Sequence, residues 1–129
     1  MWDPYTAEWL SLPVGYLGAV VAVVPAVVDW WDDPFDPRDA TIRLRDGSAL
    51  VWDEESGWRR GEFVSGKQGE RTVLAAPRYL GGGVLPEPGE VAGLLARGGD
   101  PERVVYRSYR DFGDGFDERL AAYRALAVL

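Results

Sequence analysis

The sequence predicts an α+β domain. A small antiparallel β-meander of about four strands packs against an apolar N-terminal helix and two or three C-terminal helices, within one globular unit spanning residues 1–129. Three observations carry this reading. No charged residue falls between Glu8 and Asp29; residues 40–77 alternate apolar and polar around glycine turns; and proline-started, leucine-bearing segments follow. The length suits a single hydrophobic core.

The uncharged run WLSLPVGYLGAVVAVVPAVV is long enough for a membrane span. Its flanks are acidic (Asp3 and Glu8 before it; Asp29, Asp32, Asp33 and Asp36 after it) and lack the basic residues of a signal peptide or a positive-inside anchor. Pro13, Gly15, Gly18 and Pro25 shorten it further. A buried core helix is therefore expected, and no membrane partner. Leu10, Val14, Leu17, Val21, Val24 and Val28 recur at helical spacing, with a largely apolar opposite face, as in a helix surrounded by its fold. Ser11 reads as the N-cap, Pro13 suits a first turn, and Pro25 ends or kinks the helix.

After Pro37 the period changes to two. ATIRLRDGSALVWD places Asp46-Gly47 between alternating runs, a strong hairpin signal with positive φ expected at both turn residues. ALVWDEESGWRRGEFV reads as strand, short loop, strand, closed by Gly57 in a left-handed conformation. SGKQGE reads as a polar spacer and RTVLAAP as the fourth strand. Ile42, Leu44, Leu50, Trp52, Trp58 and Val73 are the expected inner face.

In LPEPGEVAGLLARGG, Pro88 and Glu90 mark a helix start and Gly98 its C-terminal cap, with Val91, Leu94 and Leu95 as the buried stripe. Asp100-Pro101-Glu102 again spells a helix start, although VVYRSY also fits a strand, and residues 102–109 are read as helix. DGFDERLAAYRALAVL closes the chain, with Asp114 and Asp117 resembling a capping box and Phe116, Leu120, Tyr123 and Ala127 on one face.

VGYLGAVV, LVWDEESGW and VLAAPRYLGGGVLPEPGEVAGLL occur here in that order. On these residues the chain resembles, over roughly residues 13–97, a family of small actinobacterial proteins filed as a domain of unknown function, number 6292. That family often has an arginine after the tyrosine of the helix, where this chain has Leu17-Gly18. The resemblance supports the fold and a GC-rich origin, in line with arginine far outnumbering lysine, and implies no activity.

Composition limits the chemistry. There is no Cys and no His, so thiol nucleophiles, thiolate metal sites and imidazole bases are excluded. No metal site and no cofactor is expected. The net charge of −7 disfavours nucleic acid and favours a basic or neutral protein partner. With no thiol, leader or anchor signal in the residues, a cytoplasmic location is expected.

Asp53, Glu54 and Glu55 are carboxylates that paired environments could split into acid and base, but a hairpin loop should leave them in water. Truncating Glu54 or Glu55 should then cost less than about 0.5 kcal/mol. Trp52 and Trp58 should pack inward across strands. Asp111 and Asp114 of DFGDGFDE stand out of register for a calcium loop, and the three glycines of YLGGGVLPEPGE lack a phosphate-loop context.

VVDWWDDPFDP is different. Adjacent tryptophans cannot both face one core, and aromatics ringed by carboxylates typify recognition patches. Trp30, Trp31, Asp32, Asp33 and Phe35 are thus the candidate partner-binding residues, with both aspartates expected at the surface. The first expected function is a non-catalytic acidic interaction module, of adaptor or toxin-neutralising type, binding a basic partner there. The alternative is a small-molecule binder or cyclase-like enzyme with a pocket between sheet and helices, using Tyr16, Tyr79, Tyr106 or Tyr109 for acid-base work. A homodimer through the apolar first helix stays open.

Overall fold

The protein is described by a computed structural model covering residues 2–127, with side chains through Arg124. The α+β architecture is as expected, with five strands rather than about four: α1 (Ala7–Ser11), α2 (Pro13–Val23), β1 (Val27–Asp33), β2 (Asp39–Leu44), β3 (Ser48–Asp53), β4 (Gly57–Lys67), β5 (Glu70–Tyr79), α3 (Pro88–Arg97) and α4 (Phe116–Ala127). The sheet is antiparallel in the order β1-β2-β3-β4-β5. No helix among the described residues is long and apolar enough to cross a membrane.

The extra strand is VVDWWDD, whose side chains alternate across the sheet. Trp30, opposite Ile42, packs on the helix-side core, whereas Trp31, opposite Thr41, lies on the reverse face. The adjacent tryptophans are thereby divided between two faces.

The N-terminal run is two helices. Thr6, not Ser11, is the first cap: its Oγ accepts from Trp9 N–H at 3.3 Å, while the Ser11 hydroxyl donates to the Glu8 carbonyl. Pro13 has no N–H to give the Trp9 carbonyl four residues back, so the helix restarts there. Leu12 N–H and the Arg38 guanidinium take that carbonyl instead, both at 3.2 Å. The buried stripe of α2 is Pro13, Tyr16, Leu17 and Val20. Val14 and Val28, expected on that stripe, are exposed, Val28 by 62% because it lies beyond Pro25 on the edge strand. Gly15 lets α4 approach: a Cβ there would stand 2.8 Å from the Arg124 backbone.

In the β2–β3 turn only Gly47 has positive φ, at 90°. Asp46 instead uses its carboxylate to accept the Ser48 N–H at 2.9 Å, so the turn is longer than a two-residue one. β4 and β5 run through the expected SGKQGE spacer as a long hairpin. Register shifts at Arg60/Glu62, Phe63/Ser65 and Ser65/Lys67 bend it. Its far end curls over the reverse face, where Gly69 N–H donates to Asp33 Oδ1 at 2.8 Å and the Thr41 and Thr72 hydroxyls lie 2.6 Å apart. Val73, expected inside, is exposed on this arm. The arm side also explains why β3 is buried along both faces (Leu50 and Trp52 on one, Ala49 and Val51 on the other).

α3 keeps Pro88 in its first turn, a Glu87/Glu90 capping box, and Gly98 as a left-handed cap. Residues 102–109 form neither helix nor strand; only Asp100 makes an isolated bridge, to Tyr79. Their polar groups are taken up by β3–β4 loop residues: Tyr106 N–H donates to the Glu55 carbonyl and Tyr109 N–H to the Glu55 carboxylate, at 2.8 and 2.9 Å.

Candidate functional site

The sequence motifs meet in the core. Trp52 and Trp58 face each other in register and are fully buried, as expected. Trp52 Nε1 donates to the Val84 carbonyl at 2.8 Å, and Trp58 Nε1 to the Tyr16 hydroxyl at 3.0 Å. That hydroxyl donates in turn to the Pro86 carbonyl at 2.6 Å. Tyr16 is wholly buried, and burial raises its pKa far above the usual phenol value. The Gly-Tyr helix, the Trp…Trp hairpin and the glycine-rich segment are thus joined by a buried relay, Trp58 to Tyr16 to Pro86, and by the separate Trp52–Val84 bond beside it, which give each indole and hydroxyl its partner.

The carboxylates next to this relay do not face water. Glu54 is 1% exposed. Its carboxylate accepts from the Arg38 backbone N–H at 2.7 Å, from Arg38 Nε and Nη2 at 2.9 and 3.0 Å, and from Arg107 Nη1 at 3.0 Å. Arg38 Nη2 also reaches Asp117 Oδ1 at 2.9 Å, and Trp9 Nε1 reaches Asp117 Oδ2 at the same distance. The Arg38 guanidinium lies 3.7 Å over the Trp9 ring, and Arg107 4.1 Å over Phe116. Arg107 closes the cluster onto Asp114. Asp117 is drawn inward by Arg38, so it does not form the expected capping box with Asp114.

Asp53 is also buried. Burial alone would raise its pKa, but the Ser56 hydroxyl and amide, Arg59 and the Glu55 amide hold it below the usual carboxylate value. These groups stabilise the charged form of Asp53. Across the strand, Asp39 is the contrary case: burial pushes it up to about 6, with Arg71 only partly offsetting this.

The five patch residues do not share one surface. Trp30 and Asp32 lean to the helix side; Trp31 and Asp33 point to the reverse face. Asp33 is 4% exposed, because its carboxylate holds the Gly69 amide, so it is not the surface aspartate expected. Asp32 is half-buried, and burial followed by the neighbouring Asp33 raises its pKa. Trp31 and Phe35 remain half-exposed: Trp31 meets Phe63 edge-on at 6.5 Å, and Phe35 lies under Arg71 at 4.8 Å. Asp29 and Asp36, which sequence reasoning passed over, are exposed on the same strand and the turn after it. Their acidity beside aromatics was the available signal.

Of the four alternative tyrosines, only Tyr79 and Tyr106 are brought together. Tyr16 is in the relay, Tyr79 and Tyr106 border a shallow groove beyond the sheet end, and Tyr109 sits under Arg110. Every described buried side-chain nitrogen and oxygen has a hydrogen-bond partner. No group of three or more acidic residues capable of holding a metal occurs among the described residues.

Comparison with known proteins gives no match among curated proteins. No solved structure matches. A family model does match, over residues 16–97, and these are the residues that build the relay, the Arg38–Glu54 hairpin and α3. On that match the chain belongs to a family of unknown function (DUF6292).

Proposed function

We propose that this domain is a non-catalytic interaction module whose acidic, aromatic edge strand docks a basic protein segment. The observation that carries the reading is the ledge along β1 and the turn after it. There Trp31 and Phe35 stay half-exposed beside the exposed carboxylates of Asp29 and Asp36. Half-buried aromatics already fixed by Phe63 and Arg71 lose little freedom on binding. The flanking aspartates complement Lys or Arg and steer the encounter.

The mode is docking of side chains rather than strand addition. An incoming strand would need outward-facing backbone groups of β1, but Asp29 Oδ1 takes the Trp30 N–H at 2.8 Å and the Gln68 amide takes the Asp32 carbonyl at 3.2 Å. The core favours binding over catalysis: its buried carboxylates Asp39, Asp53, Glu54 and Asp117 are each paired with an arginine, and Asp33 is held by the Gly69 amide.

A panel of lysine- and arginine-bearing peptides, titrated into isotopically labelled protein, tests this. Shifts should concentrate at residues 28–36, weaken as salt rises over a Debye length of about 10 Å at 0.1 M, and disappear in Asp29→Lys/Asp36→Lys. Shifts elsewhere, or shifts indifferent to the double reversal, refute the reading.

A further inference from the structure

Two grooves open at the sheet end that carries the β2–β3 turn. The larger, about 590 Å³, lies between β2, β4, β5 and the end of α3 and is lined by Arg43, Arg60 and Arg78. The second, about 540 Å³, is walled by Pro25, Ala26, Leu44, Ala92, Leu95 and Ala96. Asp46 and Arg60 line both, so the grooves are neighbours across that ion pair.

The arginines are held in place with donors to spare. Arg60 gives Nε to Ser48 Oγ at 3.2 Å and Nη2 to Asp46 Oδ2 at 2.9 Å. Arg78 gives Nε and Nη2 to the carbonyls of Gly98 and Gly99, at 3.0 and 3.1 Å. In both, Nη1 makes no hydrogen bond among the described residues. Arg43 rests on Phe63, 4.1 Å from the ring centre, and makes no ion pair among the described residues. Two carboxylates also line this groove. Asp46 is engaged by Ser48 and Arg60, and Glu62 is exposed. Three guanidiniums against two carboxylates, one of them already neutralised, leave a local positive excess in a chain of net charge −7.

We propose that the two grooves form one site for an amphipathic oxyanion, a phosphate or carboxylate head on an apolar tail. The head is taken by Arg43 and by the spare donors of Arg60 and Arg78. Guanidinium recognises such oxyanions through paired N–H donors, and arginines already anchored lose less freedom on binding. The tail passes the Asp46–Arg60 pair into the groove of Leu44 and Leu95, where each buried methylene strengthens binding by up to about fourfold. This site shares no residue with the β1 ledge, so it stands or falls separately.

Calorimetric titration with inorganic phosphate, octyl phosphate and octanoate tests it. Octyl phosphate should bind at least about tenfold tighter than inorganic phosphate, since only it uses both grooves. Arg43→Ala, a change at an exposed side chain, should weaken the tailed ligand roughly tenfold or more, the range for losing a charge-assisted hydrogen bond. Ala96→Gln, a neutral polar change, should reduce the advantage of the tail and leave inorganic phosphate unaffected. Tighter binding of octyl phosphate assigns a phosphate head, and tighter binding of octanoate a carboxylate; either supports the site. No saturable binding of either tailed probe overturns the proposal. So does equal affinity for octyl and inorganic phosphate, or an affinity that Arg43→Ala leaves unchanged while the variant keeps the parent melting temperature.

Discussion

Replacing Glu54 by alanine should be among the costliest single changes to this protein. The carboxylate receives four hydrogen bonds, three from Arg38 and one from Arg107 Nη1, and both Glu54 and Arg38 are 1% exposed. Truncation leaves the Arg38 guanidinium with Asp117, the Trp9 carbonyl and the Trp9 ring, short of the partner that takes two of its nitrogens. Removing one member of a buried ion pair costs about 3–5 kcal/mol, because the charge left behind stays desolvated. Against a typical domain stability of about 5–15 kcal/mol this is a large fraction. At roughly 3–5 °C per kcal/mol, the melting temperature should fall by about 10–25 °C. Urea unfolding monitored by tryptophan fluorescence gives the free energy, and an unchanged slope confirms that the same surface unfolds. The double variant Arg38→Met/Glu54→Leu should recover only part of the loss: it removes the stranded guanidinium, but Asp117 keeps Trp9 Nε1 and loses its arginine, and the Arg38 backbone N–H loses its acceptor. Glu55→Ala, which loses one backbone donor and a long contact to Arg103, should cost about 1 kcal/mol. A cost below about 1 kcal/mol for Glu54→Ala at constant slope would refute the account, because exposed carboxylates behave that way.

Two further outcomes follow from the sheet. Asp39 has its folded-state pKa raised from 3.8 to about 6 by burial, so the folded chain binds this proton more tightly than the unfolded chain. Stability from this group is therefore full below the unfolded value and is lost as pH rises through about 6, a fall of at most about 3 kcal/mol. Asp39→Asn should flatten that slope, gaining relative to the parent at neutral pH; a parallel pH profile for the two proteins counts against it. Gly47 and Gly57 both have positive φ, but a Cβ at Gly47 meets nothing, whereas at Gly57 it strikes the Gly83 carbonyl oxygen. Gly47→Ala should cost about 1 kcal/mol from backbone strain, and Gly57→Ala clearly more. Equal losses in chemical denaturation would mean that the glycine-rich segment yields.

The chain made some of this legible and concealed the rest. The Asp46-Gly47 turn, the inward tryptophans and the proline-started α3 are local signals, and each depends on a few contiguous residues. The first strand was hidden because VVDWWDD alternates only once two separate faces are available to take Trp30 and Trp31. Glu54 was hidden for another reason. Its position in a loop predicts exposure, and its partners Arg38 and Arg107, with the Asp117 that shares Arg38, lie far away in sequence, on no periodic stripe. Only the fold brings them within 3 Å. The acidic ledge was partly visible, because aromatics beside carboxylates are a compositional cue. The choice between Asp33 inside and Asp36 outside depends on the curled hairpin arm, for which SGKQGE offers no more than a turn.

That arm decides where the chain can be lengthened. A surface hairpin tip is ordinarily a permissive place for an inserted loop or tag. Here the tip is moored: Gln68 and Gly69 hold the far strand through the Asp32 carbonyl and the Asp33 carboxylate. Extra residues between them would release both tethers and uncover Thr41, Ala49 and Val51. The exposed stretch from Glu102 to Val105 lies between the Tyr79–Asp100 bridge and the Tyr106 anchor, tied there by Glu102 N–H to the Asp100 carboxylate and by Arg103 to Glu55. A fluorescent reporter or affinity handle belongs at that bridge, between two fixed points, where added length loosens neither.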